Sequence, residues 1–234
     1  MKTLTVFFLL TANVFQMANG QSYNEKVADY IQKYHQIAQS NQEQYHIPAS
    51  IILAQGILES NAGYGELADS ANNHFGIKCK EQWLGMVYYK EDDDLDTLGN
   101  LTLSCFRKYD SVEESFADHA LFLTSNARYA RLFDLDSQDY IAWAEGLKIC
   151  GYATAGHYAT TLIDLINRYS LFVFDEIDKN KTKDSYAVYK TYLFIKDYTN
   201  KSVQNQSIAP VTLPDYYQGM YATKELALTT VKPE

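Results

Sequence analysis

The stretch Ile47 to Lys78, IPASIILAQGILESNAGYGELADSANNHFGIK, decides the fold of this chain. Ile51, Ile52, Leu53, Ala54, Ile57 and Leu58 make its first part apolar nearly all round, the pattern of a helix buried in a core. Pro48 suits the first turn, where a missing N–H costs nothing. Asn61 and Gly63 tolerate a left-handed backbone and end helices, so the predicted helix stops at about Glu59. Orphan carbonyls at a helix C-terminus and nearby apolar walls both disfavour a carboxylate there. The Glu59 pKa is therefore expected to be raised and the acid protonated near neutrality. A protonated carboxylic acid beside a cleft is what cleavage of a glycosidic bond needs, because the leaving oxygen must receive a proton. Gly63, Gly65 and Gly76 permit close backbone approach beside the acid, and Asn72 to Lys78 turn the chain back.

Working outward, Val27, Tyr30, Ile31, Tyr34 and Ile37 recur at helical spacing and predict a helix over Tyr23 to about Gln42. Between Lys80 and Tyr109 the pattern becomes Val87, Tyr88, Tyr89, then an acidic run, then Leu101, Leu103 and Phe106. This reads as a β-hairpin with a long connection, a smaller β lobe. Ser111-Val112-Glu113-Glu114 matches a capping box ahead of a helix burying Phe116, Ala117, Ala120 and Leu121. A further helix is predicted from roughly Ser137, stopping at Gly151, and a last core helix carries Tyr158, Leu162, Ile163, Leu165 and Ile166. Beyond about Asp178 the composition turns to Lys, Asn, Thr, Ser and Gln. Residues 178–234 read as a partly irregular C-terminal extension, with Tyr186 to Tyr198 as a strand or arm against the main domain, residues 21–177.

The first 20 residues have the layout of a secretory signal peptide. Lys2 precedes an apolar run from Leu4 to Phe15, and Ala18-Asn19-Gly20 offers a cleavage site before Gln21. Nothing later is long and apolar enough to span a membrane, so the mature chain is expected outside the cytoplasm, secreted or periplasmic, without a transmembrane segment. The net charge of −9 argues against nonspecific binding to nucleic acid or to anionic membrane surfaces, and is compatible with a neutral glycan. Cys79 and Cys105 flank the hairpin, placed to oppose one another across adjacent strands as a disulfide or as two thiols. Cys150 reads as a small buried hydrophobe. No Cys/His spacing resembles a metal site and no phosphate loop is present, so neither metal nor cofactor is expected.

Glu59-Ser60, Gly63, Leu67-Ala68 and Asn73-His74-Phe75-Gly76-Ile77-Lys78 resemble the signature of the bacterial peptidoglycan N-acetylglucosaminidases of glycoside hydrolase family 73. That family includes flagellar rod hydrolases and autolysins. Trp83-Leu84-Gly85, Phe106-Arg107-Lys108-Tyr109, Arg128-Tyr129 and Gly151-Tyr152-Ala153-Thr154 with Tyr158 extend the resemblance from about Tyr30 to Tyr169. It implies a lysozyme-like α+β fold, mainly helical with a small β-hairpin lobe. It also implies cleavage of the β-linkage after N-acetylglucosamine in peptidoglycan strands, with Glu59 as general acid and Tyr152 as a supporting active-site residue. Asn73, Phe75 and Tyr158 are expected along the substrate. The chain departs from the family at Ala62, where many members carry an aromatic residue, and at Ala155-Gly156, where many carry Asp-Pro.

Glycoside hydrolysis ordinarily uses two carboxyl groups, and the resemblance places the second in the β lobe. Asp94 falls nearest the family's acidic position when counted from Trp83, with Asp92 and Asp93 as alternatives and a merely solvated loop as the competing reading of the run. Inversion, a covalent intermediate and attack by the substrate's own N-acetyl oxygen are all open at this level. So are two rival functions: a muramidase or lytic transglycosylase on the same fold, and a glycan-binding protein without catalysis.

Overall fold

The structure is a computed structural model and describes residues 21–95, 99, 101–176 and 184–205. The predicted signal peptide, residues 1–20, lies outside the described residues, as do residues 206–234. Helix α1 spans Tyr23–Tyr45 and starts at a reciprocal cap: the Ser22 N–H donates to Glu25 Oε2 at 2.7 Å, and the Glu25 N–H to Ser22 Oγ at 3.3 Å. Helix α2, Ala49–Glu59, is the centre of the molecule, with every residue from Ala49 to Ile57 buried. It packs against α1, α5 (Tyr140–Ile149), α6 (Tyr158–Tyr169) and α7 (Val173–Glu176). A helix surrounded in this way has no polar face to show, which explains the continuous apolar run read in the sequence.

After the short α3 (Glu66–Ala71), strands β1 (Val87–Leu95) and β2 (Leu101–Arg107) pair antiparallel, Val87 opposite Arg107 and Glu91 opposite Leu103. The lobe is fixed to the helical body at its base. Cys79 and Cys105 form a disulfide with Cα atoms 5.3 Å apart, and the Cys79 N–H donates to the Cys105 carbonyl at 2.8 Å. Arg107 Nη1 donates to both carboxylate oxygens of Asp118 in α4 (Val112–Ser125), at 2.7 and 2.8 Å. A 3-10 segment, Ala127–Asp134, links α4 to α5.

Three expectations are corrected. The acidic run Glu91–Asp94 is part of β1, so the connection between the strands is short: the pairing continues to Leu95 opposite Leu101, across an irregularity after Glu91. Helix α5 begins at Tyr140, later than Ser137, because the Asp139 side chain caps it by accepting the Ala142 N–H at 2.9 Å. The segment from Tyr186 is helix α8, Ser185–Asn205, not a strand. Ser185, Tyr189 and Tyr192 recur near helical spacing and are buried; the Tyr189 hydroxyl donates to the Tyr169 carbonyl at 2.6 Å. Aromatics on two faces made this helix look like partial alternation.

Candidate active site

Glu59 owes its position to the turn that follows it. The Ser60 N–H still bonds the Gly56 carbonyl at 3.1 Å, and then Asn61, Ala62 and Gly63 all adopt positive φ, 51°, 54° and 84°. Three left-handed residues in succession reverse the chain and leave Glu59 at the exposed end of a buried helix. Ala62, the residue that departs from the family pattern, is itself buried. Gly65 is required by contact rather than by φ: a Cβ there would lie 2.9 Å from the Ser60 carbonyl oxygen, a backbone atom that cannot swing aside.

Glu59 opens into a cleft of about 290 Å³, with Phe75, Lys78, Lys80, Phe122 and Tyr152 also among its lining residues. A larger hollow of about 570 Å³ between α1 and α3 contains none of the predicted site residues. Glu59 has one open side and is crowded elsewhere by protein. That crowding pushes its pKa up to about 6, while a hydrogen bond from Tyr158 pulls it down. The raised value was expected; its main cause is burial.

Tyr158 opens α6 and is buried. Its hydroxyl accepts from Gln55 Nε2 at 2.9 Å, which leaves its proton free for Glu59. Gln55 lies one helical turn before Glu59 on α2 and is fully buried. Sequence reading missed this residue, although a lone polar side chain inside an apolar helix, four positions from the acid, was a usable signal. Tyr158 thus stands beside the acid and not on the open wall where a substrate contact was expected.

Tyr152 follows Gly151, whose φ of 72° ends α5, and its N–H returns to the Leu147 carbonyl at 3.0 Å. This turn directs the half-buried phenol into the cleft, stacked on Tyr158 with ring centroids 5.6 Å apart. Burial, then the neighbouring Tyr158 and Glu59, raise its pKa well above 10, so the phenol remains a proton-bearing donor. Phe75 forms part of the cleft lining and stacks on His119 at 3.9 Å. Burial lowers the His119 pKa to about 3, and neither ring nitrogen has a hydrogen-bond partner among the described residues.

Asn73 does not reach the cleft. It is buried, its amide donates to the carbonyls of Ile77 at 3.0 Å and Arg107 at 2.8 Å, and its Oδ1 accepts the Ile77 N–H at 3.0 Å. These three bonds tie the Phe75–Ile77 turn to β2, a structural role where substrate contact was expected. His74, given no catalytic role from sequence, bonds the Tyr30 hydroxyl at 3.0 Å, and burial lowers its pKa to about 4.

The side chain of Asp94 lies outside the described residues, as does that of Asp93. Asp92 is described: its carboxylate meets Lys78 Nζ at 2.6 Å, and Lys78 lines the same cleft as Glu59. The β lobe therefore brings one carboxylate of the run to the edge of the site.

A helical body, a hairpin lobe and a raised glutamic acid between them define a lysozyme-like glycosidase domain. The chain belongs to the glucosaminidase family described as mannosyl-glycoprotein endo-beta-N-acetylglucosaminidase, whose model matches residues 35–171. It is 33% identical over 184 residues to the exo-glucosaminidase LytG of Bacillus subtilis, covering 76% of this chain and 64% of that protein. It is 32% identical over 136 residues to the peptidoglycan hydrolase FlgJ of Escherichia coli strain K12, covering 56% of this chain and 43% of that one. The chain thus spans less than two thirds of these relatives' own lengths. Among solved structures it resembles the catalytic domain of the autolysin Auto from Listeria monocytogenes, at TM-score 0.58 and 27% identity over 74% of this chain and all of that one. A peptidoglycan hydrolase mutant from Sphingomonas sp. A1 matches at TM-score 0.54 and 28% identity, over 61% of this chain and 94% of that one. Among the described residues no helix is long and apolar enough to cross a membrane.

Proposed function

We propose that this protein is exported and cleaves the β-linkage on the reducing side of N-acetylglucosamine in peptidoglycan strands, with Glu59 as the general acid. The observation that carries the reading is the state of Glu59: it opens into the cleft, and crowding by protein on its other sides raises its pKa to about 6. A carboxylic acid so placed holds its proton in mildly acidic medium and gives it to the glycosidic oxygen as the bond breaks. The Tyr152 phenol, beside it and always protonated, stabilises or orients polar groups on the sugar as charge develops at the anomeric carbon. A carboxylate from the acidic run of β1 serves as the second acid: Asp94 by its count from Trp83, with Asp93 and Asp92 as the alternatives, Asp92 being tethered to Lys78 at the cleft. The signal-like residues 1–20 support export.

Mass spectrometry of purified cell wall digested with the mature protein tests this reading. N-acetylglucosamine at the new reducing ends is expected. N-acetylmuramic acid or its anhydro form at those ends would mean a muramidase or a lytic transglycosylase instead. The product sizes separate internal cutting from cutting at chain ends, the mode that the name of the Bacillus relative gives for that protein. Glu59→Gln should lower turnover at least about 10²-fold, as removal of a general acid does, while strands still bind. Near-normal turnover in that variant would remove Glu59 from the mechanism.

A further inference from the structure

Lys80 is a cation in the cleft that the proposed chemistry leaves unused. It lines the same hollow as Glu59 and Tyr152, and among the described residues no carboxylate lies within salt-bridge distance of its ammonium. Lys78, two positions earlier, is by contrast occupied by Asp92 at 2.6 Å. The backbone before Lys80 is held firmly: Cys79 is joined to Cys105 by the disulfide and by the bond from its N–H to the Cys105 carbonyl. From this anchor the side chain crosses toward α4, where its Nζ lies 5.6 Å from the ring centroid of Phe122. Phe122 is itself part of the cleft lining, and the attraction of its ring face keeps the ammonium over the groove. A neutral glycan offers no charge to this group. A carboxylate does, and it would displace only the weak contact with the ring.

We propose that Lys80 is a specificity-determining residue that binds a carboxylate carried by the glycan strand, so that the site discriminates acidic strands from neutral ones of the same backbone. This rests on the reading of the cleft as a glycosidase site acting on peptidoglycan. Two sources share the chemistry: the lactyl carboxyl of a strand without peptides, and the free carboxylates of its stem peptides.

The test compares kcat/KM on matched pairs of defined strands, each with its carboxyl groups free or converted to primary amides. One pair is peptide-free and one carries stem peptides. The wild-type protein is expected to prefer the free acid about tenfold in at least one pair, the worth of one charge-assisted bond partly open to water. In Lys80→Gln that ratio should fall to about one, and Lys80→Arg should restore most of it, since only charge and reach are needed. Added salt at about 0.5 M should compress the wild-type ratio and leave that of Lys80→Gln unmoved. Preference in the peptide-free pair assigns the lactyl group, and preference confined to the other pair assigns the stem. Equal rates on acid and amide in the wild type, or a preference that survives in Lys80→Gln, would overturn the proposal. Failure of the wild type to cut any of the four strands would instead overturn the glycosidase reading beneath it. Lys80 is exposed, so melting temperatures matching the wild type are expected for both variants.

Discussion

Replacing Tyr158 with Phe removes one oxygen, and the structure gives that oxygen two jobs. It accepts from Gln55 at 2.9 Å, and its proton is directed at Glu59, where it opposes the effect of burial on the acid's pKa. Loss of a donor disfavours the carboxylate form, so the Glu59 pKa must rise above about 6. A hydrogen bond to a charged group contributes about 1.5–3 kcal/mol when buried; water entering the open cleft replaces part of it and leaves about 1 kcal/mol. At 1.36 kcal/mol per unit this is a shift of roughly 0.7 pH units. Because the acid form is the competent one, activity falls as pH rises through this pKa. The alkaline limb of the kcat/KM profile should therefore move upward by that amount. At pH 7 the protonated fraction would grow from about a tenth to about a third. The same change strands Gln55 Nε2 in the core, costing about 1–3 kcal/mol, or roughly 2–4 °C of melting temperature per kcal/mol. Adding Gln55→Leu removes the stranded donor together with the already unpartnered Gln55 Oε1, so the double variant should recover stability while keeping the shifted limb. The assay is a pH series of initial rates with thermal melts on the two single variants and the double. A limb that stays in place or moves to lower pH in Tyr158→Phe would refute the coupling of these residues.

Tyr152→Phe should lower kcat with little change in melting, because the ring still stacks on Tyr158, whereas Tyr152→Ala should destabilise by up to about 3 kcal/mol, the low end for a ring only half-buried. A fully active Phe variant would take Tyr152 out of the catalytic set. Single Asn substitutions at Asp92, Asp93 and Asp94 should single out one position with a far larger loss of turnover than the others; equal, minor losses would return the run to a solvated strand face. Cys105→Ser opens a loop of sequence separation 26 that anchors the β lobe. Chain-entropy arguments put its cost at about 3.5 kcal/mol, and chemical denaturation of that variant beside the wild type measures it.

The sequence alone determined the central helix and the place of Glu59 at its end. Both follow from short-range rules: an all-round apolar run must be buried, and Asn61 with Gly63 must end a helix. The hairpin lobe and the turn at Gly151 were legible for the same local reason. What only the tertiary structure decided is the company each of these residues keeps. Gln55 and Tyr158 are separated by 103 positions, and no periodicity reports a bond across that distance. Asn73 looked like a substrate contact because its motif lies beside the cleft, yet its amide turns inward to the carbonyls of Ile77 and Arg107, joining the turn to β2. The acidic run looked like a loop because carboxylates are poor strand formers; the pairing of Glu91 with Leu103 and of Leu95 with Leu101 on either side holds it in β1. Helix α8 reads as partial alternation because its aromatics lie on more than one face, and its buried side is created by packing against α1, α7 and the end of α6. Local pattern fixes which segments are regular and which residues are exceptional, while packing between distant segments decides what an exceptional residue can do.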